Sequence, residues 1–125
     1  MNPLIVLYHD SFLRVSGSPY DIRSYDASSH ITNTQLIKDK LFAMNATEEE
    51  YAESMKEQMW TMEQFEVYMV SQRLVAPGWL NDYLKPEMKK KMAHVLRFFS
   101  FKMLPHPGVY ELFGFDFLVD TDLNT

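Results

Sequence analysis

The most constraining feature of this chain is a single run near its C-terminus, Val109-Tyr110-Glu111-Leu112-Phe113-Gly114-Phe115-Asp116-Phe117-Leu118-Val119. Large apolar and aromatic residues alternate there with a period of two, which is the signature of an extended segment with two unlike faces. Val109, Phe113, Phe115, Phe117 and Val119 fall on one side. Tyr110, Leu112, Gly114, Asp116, Leu118 and Asp120 fall on the other. A helix cannot bury such a pattern on one stripe, so this part is predicted to be a strand. Asp116 stands out within it. A carboxylate among phenylalanines is costly to bury unless it is paired, hydrogen-bonded or bound to a metal. Gly114, two residues away on the same face, leaves room for a ligand to approach the backbone. Two readings fit this pattern: a face open to water, or a carboxylate that holds a hard cation such as Mg²⁺ together with substrate phosphates.

Elsewhere the pattern changes from strands to helices. Residues 3–8 predict a strand, His9-Asp10-Ser11 a turn, and Phe12-Leu13-Arg14-Val15 the return strand of a hairpin, with Phe12 and Arg14 on one face. Ser16-Gly17-Ser18-Pro19 ends that strand, residues 20–29 read as loop, and Ser29–Thr32 as a short extended piece. Thr47 with Glu50, and Thr61 with Gln64, have the spacing of capping boxes, which predicts helices over about 47–58 and 61–73. Pro77-Gly78 breaks the chain. Pro86 suits the first turn of a helix, in which Met88, Met92, Val95, Leu96, Phe99 and Met103 form one apolar stripe. Those residues are read as core. Leu104-Pro105-His106-Pro107-Gly108 ends the helix. The order of strands, then helices, then a strand predicts an α+β fold of antiparallel strands packed with helices.

With 125 residues, 46% of them hydrophobic, the chain has enough apolar material for one globular domain. It has no cysteine, which excludes disulfides, thiolate metal sites and a cysteine nucleophile. His9, His94 and His106 lack the spacing of a zinc site, and there is no glycine-rich phosphate loop or nucleophile elbow. The net charge of −5 argues against nucleic acid as the main partner, although Lys85, Lys89, Lys90, Lys91, Arg97 and Lys102 gather in one stretch. That cluster is read first as a solvated helix face. With no apolar run of membrane-spanning length and no basic, signal-like N-terminus, the expectation is a cytoplasmic protein without a membrane partner.

Two further sets of polar residues could carry chemistry. Arg14 could offer a planar fork of donors to a phosphate, or simply lie at the surface. His30, Thr32 and Asn33 could bind nucleotide or metal-bound water, or could stabilise a turn through side-chain-to-backbone bonds.

Three segments together resemble the tubulin–tyrosine ligase family. Tyr8-His9-Asp10-Ser11-Phe12-Leu13-Arg14, followed by Ser18-Pro19-Tyr20, is similar to the family's tyrosine, turn, arginine and Pro-aromatic segment. His30-Ile31-Thr32-Asn33 is similar to its His-aliphatic-Thr-Asn motif, and Tyr110 to Asp120 resembles its metal-binding strand, in the same order. The resemblance implies part of an ATP-grasp domain that uses ATP and Mg²⁺ to join tyrosine, glutamate or glycine to tubulin or another acidic protein through an acylphosphate. It implies Arg14 at the transferred phosphate, His30, Thr32 and Asn33 lining the nucleotide cleft, and Asp116 on Mg²⁺. The family's Lys-x-Asp-x-Arg strand has no counterpart before Arg14, nor its Glu-x-Asn pair after Asp120. Residues 1–125 are therefore expected to be an incomplete domain, itself inactive as an enzyme, associated with the cytoskeleton. The alternative is a non-catalytic module that binds tubulin or another protein.

Overall fold

The computed structural model describes residues 5–103, 108 and 110–125. The chain divides into two compact units, one of residues 10–74 and one of residues 1–9 with 75–125.

The first unit is built on a two-stranded antiparallel ladder. Strand β1 (Phe12–Arg14) pairs with β2 (Met59–Thr61) in the register Phe12 to Thr61, Leu13 to Trp60 and Arg14 to Met59. The ladder extends by one bond, from the Val15 N–H to the Gln58 carbonyl at 2.8 Å. Leu13 and Val15 are half-buried while Phe12 and Arg14 are exposed, so the expected division of faces in β1 holds. The expected hairpin does not. Residues 5–8 form no strand, residues 3 and 4 lie outside the described residues, and the partner of β1 comes from more than 40 positions later. A short strand satisfies its N–H and C=O groups wherever a complementary edge is presented, and the hairpin reading had no means to weigh a distant edge.

Three helices frame the ladder: α1 (Thr34–Ala43), α2 (Glu48–Gln58) and α3 (Met62–Ser71). Both capping boxes form as their spacing predicts. Thr47 Oγ1 accepts from the Glu50 N–H at 3.2 Å and Glu50 Oε2 accepts from the Thr47 N–H at 2.7 Å. Thr61 Oγ1 accepts from the Gln64 N–H at 3.1 Å and Gln64 Oε1 from the Thr61 N–H at 2.8 Å. Thr61 thus closes the ladder opposite Phe12 and starts α3 in the same residue. Met62 and Met69, seven apart on one face of α3, are buried. Trp60 meets Tyr68 edge to face with centroids 5.3 Å apart. Helix α1 has no counterpart in the sequence reading, Ala27–Ser29 forms a 3₁₀ turn at the end of the expected loop, and the short extended piece expected at Ser29–Thr32 forms no strand.

The second unit centres on α4 (Lys85–Phe99), with Pro86 in its first turn as expected. A π-helical turn, Leu80–Leu84, leads into it, closed by the Lys85 N–H on the Leu80 carbonyl. Gly78 adopts φ of 92°, a left-handed conformation that glycine tolerates, and its carbonyl accepts from Asn81 and Asp82. Leu80, Leu84, Met88 and Leu96 are all buried, each four or eight residues from the last, so the predicted stripe is real and begins two turns earlier than predicted. Val95 and Phe99, expected in that stripe, are 40% and 45% exposed. A 3₁₀ turn, Ser100–Lys102, follows. The next four residues, with His106, and Val109 lie outside the described residues.

Residues 110–119 form no hydrogen-bonded strand, which corrects the strand expectation. The alternation survives without the ladder: Phe115, Phe117 and Val119 are half-buried, while Asp116 and Leu118 are exposed. An extended segment becomes a strand only when another edge takes up its backbone groups, and here none does among the described residues. The architecture is α+β, with a small antiparallel sheet and more helix than strand.

Candidate functional site

The residues singled out from the sequence fall in both units. Arg14, His30, Thr32 and Asn33 belong to the first, and Asp116 to the second.

Arg14 occupies the last position of β1, paired with Met59, on the exposed face it shares with Phe12. The strand fixes the backbone beneath a long cationic side chain, which is the arrangement a guanidinium needs to meet a phosphate from one direction.

His30, Thr32 and Asn33 lie at the entry to α1. Asn33 has extended φ and ψ of −71° and 130°, and its side-chain oxygen accepts from the Gln35 N–H at 2.9 Å, so it is the N-cap of α1. Its carbonyl accepts from the Leu36 N–H at 3.1 Å. This is the turn-stabilising role that side-chain-to-backbone bonding predicted as the alternative to ligand contact. The cap uses the amide oxygen and leaves the Nδ2 donors as the chemistry Asn33 can offer a ligand. Thr32 is half-buried just before the cap. The His30 ring is exposed, with its Nε2 2.8 Å from the Ser24 carbonyl and its plane edge-on to Tyr20.

Asp116 is exposed, and a Cβ placed on Gly114 would meet nothing within 4 Å. The space beside Asp116 that the sequence suggested is therefore open. Immediately beyond lies a tight loop in which Asp120 Oδ1 accepts from the N–H groups of Asn124 at 2.8 Å and Asp122 at 2.9 Å. Its Oδ2 accepts from Asn124 Nδ2 at 3.3 Å, and Leu123 turns through φ of 65°. The backbone donor of Asn124 is the main cause that holds the Asp120 carboxyl below its usual pKa, helped by the Asn124 amide, the Asp122 N–H and the charge of Lys91.

Mg²⁺ commonly uses one or two carboxylates plus waters and substrate phosphates. Asp116 fits as one such ligand. Among the described residues no group of three His, Asp or Glu side chains could hold a metal ion, so Asp116 would supply one coordination position and not a complete site. A shallow depression of about 330 Å³ on α2 is lined by Glu49, Glu50, Glu53, Glu57 and Ser54. Four carboxylates would repel a polyphosphate, which excludes this depression as a nucleotide site. No helix of the described residues is long and apolar enough to cross a membrane.

The chain is thus α+β, with an arginine on a short strand, a polar helix entry and an acid in a phenylalanine-rich segment. The tubulin-tyrosine ligase family matches residues 1–125, so the chain belongs to that family. It is 26% identical over 122 residues to a tubulin monoglycylase of Mus musculus, covering 97% of this chain and 12% of that protein. It is 30% identical to a tubulin glycylase of Drosophila melanogaster (94% and 11%). It is 28% identical to an inactive polyglycylase of Homo sapiens (94% and 17%). The chain thus spans less than a fifth of the length of each of these relatives. No solved structure matches it.

Tyr20 and Ser24 join the polar cluster without having been singled out for it. The sequence marks Tyr20 only as half of a Pro-aromatic pair, and a carbonyl acceptor such as that of Ser24 carries no residue-type signal at all.

Proposed function

We propose that this chain is part of an ATP-dependent ligase with an ATP-grasp fold that attaches glycine to a protein carboxylate, with tubulin as the acceptor. The observation that carries this reading is the family match over residues 1–125, combined with relatives whose names are those of glycylases. In the reaction, a carboxylate oxygen of the acceptor attacks the γ-phosphorus of ATP, forming an acylphosphate and releasing ADP. The neutral amine of glycine then attacks the acyl carbon, loses a proton, and expels inorganic phosphate to leave an amide.

Each polar residue has a place in this scheme. Arg14 meets the transferred phosphoryl group, where its fixed positive charge offsets the charge on the phosphate oxygens. Thr32 and Asn33 line the nucleotide cleft, Asn33 through Nδ2 because its oxygen caps α1, and His30 precedes them in the chain without touching the nucleotide. Asp116 is one ligand of Mg²⁺, which when bound neutralises phosphate charge. Such a protein would work where microtubules are, in the cytoplasm.

The second reading is a non-catalytic protein-binding module. A relative of the same degree of similarity bears the name of an inactive polyglycylase, which supports keeping it. One assay separates the two. The whole protein is incubated with Mg·ATP, tubulin and labelled glycine, glutamate or tyrosine, and label in tubulin is counted against ADP formed. Glycine incorporated with one ADP per residue is the expected result. Incorporation of another amino acid instead would overturn the choice of donor. Binding of tubulin with no incorporation of any of the three would overturn the enzyme reading in favour of the module.

A further inference from the structure

The segment between β1 and α1 has no regular strand or long helix, yet its backbone is tied at several points between Asp21 and Ile31. The Arg23 N–H donates to Asp21 Oδ1 at 2.9 Å, and the Ser24 N–H to the Asp21 carbonyl at 3.0 Å. Ser24 Oγ accepts from the Asp26 N–H at 3.1 Å. Ser29, 6% exposed, donates its hydroxyl to the Asp26 carbonyl at 2.8 Å, and the Ile31 N–H donates to the Ala27 carbonyl at 2.8 Å. All of these contacts reach at most four residues.

A longer-range side-chain contact in the segment is made by His30. Its Nε2 lies 2.8 Å from the Ser24 carbonyl, six residues back, and Tyr20 stands edge-on to the ring with centroids 5.5 Å apart and planes at 89°. A carbonyl only accepts, so Nε2 carries the proton and donates. The ring therefore closes residues 24–30 into a loop and pins its end to Tyr20. Two residues on from that closure is Thr32, and three on is Asn33, which caps α1.

We infer that His30, with Tyr20 and the Ser24 carbonyl, is a positioning latch: it fixes the backbone that carries Thr32 and Asn33 and acts on the nucleotide through them. This deepens the ligase reading and rests on it for its catalytic part, but the latch itself is a property of the chain alone. The donated proton distinguishes it from direct contact with a phosphate. A nitrogen committed to the Ser24 carbonyl has no second proton to offer a ligand. The other ring nitrogen does not determine whether the latch forms, because Nε2 bears a proton in the protonated ring as well as in the required neutral tautomer.

The test has two arms. In the first, nuclear magnetic resonance of the full chain reads the His30 ring and the amides of Ile31 to Gln35. The latch predicts the Nε2–H tautomer for the neutral ring. It also predicts that His30→Phe, which keeps an aromatic edge for Tyr20 but has no donor, lowers exchange protection of the Ile31 amide about fivefold, the effect of one net hydrogen bond. His30→Gln, whose amide nitrogen reaches about as far as Nε2, restores most of that protection. An Nδ1–H tautomer, or unchanged protection in His30→Phe, would overturn the latch whatever the protein's activity. In the second arm, turnover and KM for ATP are measured on the whole protein. The latch predicts that His30→Gln keeps both near wild type while His30→Phe raises KM. A rise in KM for ATP in His30→Gln, with amide protection intact, would show instead that the ring touches nucleotide. Absence of any ligase turnover in the wild type would overturn the ligase reading and leave the first arm standing.

Discussion

Replacing Asn33 by alanine asks whether this residue serves the fold, the ligand or both. The structure assigns one definite bond to the side chain, Gln35 N–H to Asn33 Oδ1 at 2.9 Å, at the first turn of a ten-residue helix. No residue of α1 is buried, so the helix has little tertiary packing to make up for a lost cap. Losing an Asn cap to alanine costs about 1 kcal/mol, within a range of roughly 0.5–2. If α1 melts with the rest of the chain, a loss of that size lowers the melting temperature by about 4 °C for a domain of this length. If α1 opens separately, the same loss appears as a roughly fivefold fall in amide protection confined to α1. Native-state hydrogen exchange together with thermal melting distinguishes these two forms of the effect. Asn33→Asp and Asn33→Ser retain a capping oxygen and are expected to keep α1 near wild-type stability. Asn33→Asp also removes the Nδ2 donors and adds negative charge, so in the whole protein its ligase turnover is expected to fall about 10²-fold if Nδ2 meets a phosphate. Unchanged protection and melting in Asn33→Ala would refute the cap as the main role of the side chain. Normal turnover in Asn33→Asp would refute its place at the nucleotide.

Three other expectations are directly measurable. Asp116→Asn in the whole protein should reduce turnover by about 10²–10³ with little change in melting temperature, because Asp116 is exposed; normal turnover at saturating Mg·ATP would rule it out as a metal ligand. Leu84, only 1% exposed and central to the stripe leading into α4, should cost about 2–5 kcal/mol when cut to alanine and less than about 1.5 as methionine, read by urea unfolding of the chain. The Asp120 loop should depend on pH in one direction. The folded pKa is lowered, so the loop's stabilisation is fully present above the unfolded value of about 3.9 and is lost as pH falls through the folded pKa. The Asp122 and Asn124 amide resonances should titrate together below that value in the native chain and not in Asp120→Asn.

The parts of this protein that were legible in its sequence are those settled by a few neighbouring residues. Thr47 with Glu50 and Thr61 with Gln64 mark helix starts because each side chain bonds a backbone group three positions away, and both boxes form as read. The stripe through Met88 and Leu96 follows from helical period alone. The two-sidedness of residues 115–119 is likewise present, since alternation is a property of any extended backbone. Family membership was legible for a related reason: it rests on residue types in order, and the family match over residues 1–125 agrees with it.

What only tertiary structure decided is which distant edge a segment meets. Leu13 has nothing in its own sequence that names Trp60 as its partner, and the nearer residues 5–8 looked equally suited. Tyr110 to Val119 has every intrinsic feature of a strand and is not one among the described residues, because a ladder needs a second backbone and side-chain pattern supplies none. Helix α1 was hidden by the reverse case: its apolar residues Leu36, Ile37 and Leu41 are few and only half-buried, and Asn33, its cap, fits a ligand motif as well as a turn. The His30 ring found its acceptor in a carbonyl, a group every residue carries, so no choice of side chain could announce it. Local side-chain-to-backbone bonds are encoded by residue identity, whereas long-range backbone pairing depends on how the rest of the chain brings two edges together.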